Sequence, residues 1–108
     1  MKSLNNVSFD KNIKSAKYAA ALFVADACGP SRLAREAFCS AAEGSKNVSF
    51  FTVNADAEPT LAKRCGVDVF PAVLLFANGN LKLVSYGISG KKRLENLIVR
   101  LTQQSQNQ

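Results

Sequence analysis

The segment Cys28-Gly29-Pro30-Ser31 sets a thiol two residues before a proline, between an apolar run and an amphipathic one. Where a buried strand hands over to a helix, free amide N–H groups and the positive end of the helix dipole gather at the junction. Both favour thiolate over thiol, so the placement predicts a Cys28 pKa below that of a free cysteine and a nucleophile suited to disulfide exchange. Gly29 lets the backbone turn. Pro30 suits the first helical turn, where its missing N–H forfeits no bond. A partner thiol three residues on would complete a Cys-x-x-Cys pair, but that place holds Ser31. A hydroxyl is a weak nucleophile at neutral pH, so Cys28 is expected to work singly with Ser31 beside it.

The elements that must position this thiol are readable from the hydrophobic pattern. Tyr18 to Ala25 is apolar on both phases, which predicts a strand buried on both faces. From Ser31, Leu33, Ala34, Ala37, Phe38 and Ala41 recur at helical spacing as one buried stripe, and Gly44 ends the helix. Val7 to Phe9 reads as a short edge strand, with Asp10 capping a brief helix to about Lys17. Val48 to Asn54 is a second long strand, and Pro59 and Gly66 bracket a short helix through Cys65. Ala72 to Phe76 and Leu81 to Tyr86 form strands joined by an Asn78-Gly79 hairpin turn. Ser89 caps a last helix carrying Leu94, Leu97, Ile98 and Leu101. The order βαβαβ then αββα predicts an α/β sandwich around a mixed sheet, with crossover helices on its parallel part.

The length of 108 residues suits one domain spanning 1–108, with the all-polar stretch 102–108 expected to fray. The net charge of +6 comes from basic residues scattered along the chain, with one dense run at Lys91-Lys92-Arg93. No aromatic–basic interleaving accompanies it, so nucleic acid is not an expected partner. Three cysteines, an odd count, argue against a disulfide framework. The apolar run from Tyr18 is too short for a membrane span and starts too late for a signal. A reducing cytoplasm is the expected setting, with no membrane partner. No histidine and no close cysteine pair are present, so no metal site is expected.

At this point the chain resembles the thioredoxin family over most of its length, from about Val7 to Leu101. Cys28-Gly29-Pro30-Ser31 followed by Arg32 is similar to the family's Cys-Gly-Pro-Cys and the basic residue after it. Val69-Phe70-Pro71-Ala72 is similar to its cis-proline loop, and Phe76-Ala77-Asn78-Gly79 to its hairpin. Asn54-Ala55-Asp56 and Gly87 match two further positions. The resemblance implies the thioredoxin fold, a central mixed sheet of about four or five strands with helices on both faces. It implies a cis Phe70–Pro71 bond against Cys28 and a groove for an extended substrate segment. Ala27, Gly29, Pro30, Phe70, Pro71 and Gly87 are the expected substrate-binding residues around Cys28.

The chain also departs from the family. The tryptophans near the active-site cysteine are Ala27 and Val24, the buried aspartate is Leu22, its lysine partner is Thr52, and the helix-bending proline is Glu36. Without the second cysteine the step that releases a mixed disulfide is missing, and a buried lysine without its aspartate would be costly. Leu22 and Thr52 therefore fit Ser31 as one set. An engineered cysteine-to-serine trap of a dithiol protein is the alternative, but such a change would leave the aspartate, lysine and tryptophans in place.

Cys39 cannot substitute as a resolving thiol, because eleven helical residues span roughly 16 Å and a disulfide needs Cα atoms within about 7 Å. Cys39 is expected to pack on or beside the buried stripe, and Cys65 to pack at a helix end. The leading expectation is a monothiol thiol–disulfide exchange protein. Its substrates would be disulfide-containing or glutathionylated proteins, and an external thiol such as glutathione would act as reductant without a bound cofactor. A non-catalytic binding module using the same groove is the second reading. A cluster-binding monothiol glutaredoxin is a third, weakened by the absence of Thr-Val-Pro and Gly-Gly motifs.

Overall fold

Seven consecutive buried residues define the centre of the molecule. Tyr18–Val24 forms a strand buried along its whole length. Such a run can satisfy its backbone only by pairing on both edges and its side chains only by helices on both faces. The computed structural model describes residues 1–25, 30–87 and 90–106. Within them the order is β1 (Lys2–Ser3), α1 (Phe9–Ser15), β2 (Tyr18–Val24), α2 (Pro30–Glu43), β3 (Ser49–Asn54), α3 (Pro59–Arg64), β4 (Ala72–Ala77), β5 (Asn80–Tyr86) and α4 (Lys91–Gln106).

The sheet has five strands in the order β1-β3-β2-β4-β5. β1, β3 and β2 run parallel, whereas β4 is antiparallel to β2 and β5 to β4. Strand alternation splits β2 between two cores. Ala19, Ala21 and Phe23 face α1 and α3, where they meet Phe9, Ile13 and Leu61. Ala20, Leu22 and Val24 face α2 and α4, where they meet Phe38, Leu94 and Ile98. Edge-to-face rings tie each layer, Phe9 against Phe23 and Phe76 on one face and Phe38 against Phe50 on the other. The alanines of β2 leave room for these rings, so large and small side chains interdigitate across the sheet.

The β4–β5 hairpin turns at Asn78 and Gly79, both at positive φ (54° and 82°). A side chain at Gly79 would be strained in this conformation, and its Cβ would sit 3.2 Å from Lys14 Cγ.

Three expectations are corrected. Val7 to Phe9 is not a strand; the edge strand is β1, and Phe9 opens α1. Asn5 closes the intervening turn, its Oδ1 accepting from the N–H groups of Val7 and Ser8 while Ser8 Oγ accepts from Asn5 N–H. That network satisfies the backbone locally and leaves no ladder to pair. Asp10 does not cap α1, because its carboxylate accepts a 2.8 Å bond from Arg64. The last turn of α4 runs as far as Gln106. Buried Leu101 anchors this turn, and Tyr18 donates to Thr102 O. Finally, Leu33 lies outside the α2 stripe and is 55% exposed, because it sits about 100° around the helix from Ala34. The expected Ser89 cap lies outside the described residues.

Phe38 is the largest buried side chain of α2. Phe38→Ala should cost about 3–5 kcal/mol, read as a lower urea midpoint at unchanged slope. A loss under about 1 kcal/mol would contradict this packing.

Candidate functional site

The register of the sheet brings the chemistry-bearing segments to one end. Phe23, near the C-terminal end of β2, lies opposite Ala72 at the start of β4, and Ala72 lies opposite Tyr86 at the end of β5. Antiparallel pairing thus puts the strand end that precedes Cys28 beside Phe70–Pro71 and Gly87. The N-terminus of α2 rises from the same end at Pro30. Ala55, just past β3, is held there too, its N–H donating to Val24 O at 2.7 Å.

The Phe70–Pro71 peptide bond is cis, Pro71 is fully buried and Phe70 is half-buried against the α1/α3 core. Gly87 donates its N–H to Pro71 O at 2.8 Å, extending the β4–β5 ladder past the last paired residues. Its φ of 81° is a conformation that side-chain-bearing residues rarely adopt. Ser31 is 6% exposed, and its hydroxyl donates to Ala25 O at 3.1 Å. The residue in the place of a second thiol therefore ties the first turn of α2 back to the end of β2. Ala27, Cys28 and Gly29 lie outside the described residues. The segments flanking them are placed, and Pro30, Ser31, Phe70, Pro71 and Gly87 share this end.

The family's buried carboxylate and ammonium positions are adjacent. Leu22 and Thr52 are directly opposite one another on β2 and β3, and Val73 flanks Leu22 on β4. Leu22 has no solvent contact. An apolar side chain here avoids placing a charge in the middle of the α2/α4 core. At Glu36, α2 continues unbroken from Pro30 to Glu43, and Glu36 pairs with Arg32 on the exposed face at 3.6 Å. Such an exposed pair contributes little, in the range of about 0–1 kcal/mol.

The other two cysteines separate. Cys39 is exposed rather than packed on the α2 stripe, about 100° around the helix from buried Phe38. Cys65 ends α3 and is half-buried against the α1/α3 core. Burial pushes its thiol above the ordinary cysteine value, with Arg64 partly opposing the shift and Asp10 adding to it. Among the described residues no cluster of three or more acidic, histidine or cysteine side chains could hold a metal.

The motif reading missed a depression of about 400 Å³ beside Phe70, lined among others by Ala55, Asp56, Ala62, Val67 and Asp68. The signal available for it was Ala55 and Ala62, buried residues whose short side chains leave room beside the proline loop.

A mixed five-stranded sheet, two helices on each face and a cis-proline loop at this end of it define the thioredoxin fold. The thioredoxin family model matches residues 1–102, and the chain belongs to that family. No curated protein sequence matches it significantly. It is similar to a chain from a structure of thiol resolution in yeast mitochondrial 1-Cys peroxiredoxin via glutathione/thioredoxin systems. That similarity has TM-score 0.87 and 27% identity, covering 94% of this chain and 95% of that one. Mitochondrial thioredoxin 3 of Saccharomyces cerevisiae, in its oxidized form, gives 0.86 and 26% over 94% and 95%. A point-mutant thioredoxin of Halobacterium salinarum NRC-1 shares the fold at 0.87 and 24% over 94% and 89%. Family and fold support thiol–disulfide exchange; thioredoxin-family proteins act on disulfide-containing proteins and typically need no cofactor. No helix among the described residues is long and apolar enough to cross a membrane.

Two outcomes follow for the site. Leu22→Asp should cost about 3 kcal/mol or more, and adding Thr52→Lys should recover part of it, read by urea denaturation. No recovery in the double variant would mean that the two positions do not communicate. In peptide mapping after brief iodoacetamide treatment at pH 8, exposed Cys39 should be alkylated several-fold faster than Cys65, whose raised pKa holds it as thiol. Equal rates would contradict the burial of Cys65.

Proposed function

We propose that this protein is a monothiol thiol–disulfide exchange catalyst in which Cys28 is the nucleophile. The thiolate attacks a protein–glutathione disulfide, forms a Cys28–glutathione disulfide and expels the protein thiolate. A second glutathione thiolate then attacks the glutathione sulfur, regenerating Cys28 thiolate and releasing glutathione disulfide. With a protein disulfide, the first attack gives a Cys28–protein mixed disulfide and one free protein thiolate, and an external thiol resolves it. Phe70, Pro71 and Gly87, with Ala27, Gly29 and Pro30, are the surface proposed to hold the substrate segment.

The observation that carries the reading is Ser31. Its buried hydroxyl is committed to Ala25 O, at the position from which self-release would need a thiol. Cys39 lies eight residues further along α2, about 12 Å from Ser31, and is no substitute. Unlike a dithiol protein, such an enzyme favours deglutathionylation and isomerisation over net reduction of disulfides. Leu22 and Thr52 agree with it, because the family's buried carboxylate serves a second cysteine that this chain lacks. A reducing compartment supplies the external thiol; the cytoplasm is the proposed one, and the mitochondrial source of a similar structure makes the mitochondrion the comparison.

The test follows turnover of a glutathionylated model peptide with glutathione and, in parallel, insulin reduction with a thioredoxin reductase. Deglutathionylation should fall to background in Cys28→Ser and persist in Cys39→Ser and Cys65→Ser, while insulin reduction stays near background throughout. Ser31→Cys should raise insulin reduction. If Cys28→Ser leaves exchange unchanged, the catalytic reading fails, and the groove is better read as a binding surface alone.

A further inference from the structure

Helix α4 carries Lys91, Lys92, Arg93 and Arg100 against a single acid, Glu95. This is the largest concentration of the chain's net charge of +6 on one element. Its buried side is Leu94, Ile98 and Leu101. On the opposite side Lys92, Asn96 and Arg100 follow one another at i, i+4 and i+8, with Arg93 beside them. All four are exposed, and with half-buried Leu97 they line an open depression of about 440 Å³. Glu95 lies on another flank, its Oε2 3.4 Å from where a Cβ on Gly44 would stand, at the end of α2. Among the described residues no carboxylate pairs with Lys91, Lys92, Arg93 or Arg100; the two ion pairs lie elsewhere.

We propose that this face of α4 docks an extended acidic segment of a partner protein. The spacing suits it. Residues four apart on a helix rise about 6 Å, and alternate side chains of an extended chain repeat about every 6.6 Å. Carboxylates at alternate positions of an extended segment therefore meet Lys92, Asn96 and Arg100 in turn, and Arg93 reaches the same row. Asn96 offers an amide donor between the two cations, and Leu97 gives an apolar floor for the segment's backbone and Cβ atoms. The face carries no aromatic side chain on which a base could stack, which favours an acidic peptide over a single-stranded nucleic acid. The helix starts a few residues after Gly87, so a partner bound here also lies near the catalytic end. The binding itself does not require Cys28.

The experiment is fluorescence anisotropy with a labelled peptide of alternating glutamate and serine at about 50 mM salt. The wild-type chain is compared with Lys92→Glu/Arg93→Glu/Arg100→Glu and with an equal charge reversal elsewhere, Lys11→Glu/Lys14→Glu/Lys46→Glu. The α4 variant should bind about tenfold or more weakly, the control should stay within about twofold, and Cys28→Ser should match wild type. Circular dichroism of the exposed-site variants checks that they fold. Equal losses in both triple variants would reduce the effect to net charge and overturn the proposal. So would a thymidine oligonucleotide that binds more tightly than the peptide through the same α4 residues. Exchange activity that persists unchanged in Cys28→Ser while the α4 variant loses peptide binding would count against the catalytic reading and leave this one standing.

Discussion

The burial of β2 on both faces is the constraint on which the rest of the molecule depends. Tyr18–Val24 has neither a solvent-facing side nor a free edge. Its side chains demand α1 and α3 on one face and α2 and α4 on the other, and its backbone demands β3 and β4. Each large apolar residue placed there contributes about 1.5–3 kcal/mol relative to exposure, which makes a shift of register expensive. A slip of one residue would exchange the two cores, sending Leu22 to the α1/α3 side and Phe23 to the α2/α4 side. The position of the candidate site is therefore set by the core. The chain leaves β2 at a defined point, and whatever follows must turn there into α2.

That end is built mostly from backbone. The Gly87 N–H on Pro71 O, the Ala55 N–H on Val24 O and the Ser31 hydroxyl on Ala25 O pin the proline loop, the end of β3 and the start of α2 around it. Among the described residues, that end also carries the Ser31 hydroxyl and the half-buried Phe70 ring. The interior behind them is plain, with Leu22 facing Thr52 where the family has a carboxylate and an ammonium. Removing both members of a buried charged pair costs little when the replacements pack, whereas removing one leaves an unpaired charge in a low-dielectric interior. The double replacement is thus physically simpler than either single one. It suits an end of the sheet with no second thiol to serve.

The long elements were legible in the sequence because each carried its own periodicity. The fully apolar block Tyr18–Ala25 gave β2 to within a residue, and Asn78-Gly79 marked the hairpin. The failures fall where side chains compete locally with that periodicity. Val7 and Phe9 look like strand residues, yet the Asn5–Ser8 hydrogen bonds close a turn between them and β1. Leu33 and Cys39 look like stripe residues, yet each lies about 100° off the buried line, a difference that only the orientation of α2 on the sheet resolves.

The sequence alone determined the kinds of element, their order, the lone thiol before Gly-Pro and the proline and glycine expected to surround it. Apolar periodicity and turn chemistry are local properties, and a local reading recovers them. Only the tertiary structure decided what meets what. It set Leu22 directly between Thr52 and Val73, committed the Ser31 hydroxyl to Ala25 and gathered exposed cations along one face of α4. It also separated an exposed Cys39 from a half-buried Cys65. These depend on sheet register and helix rotation, which are fixed by the packing of two cores against one strand and by no single segment of the chain.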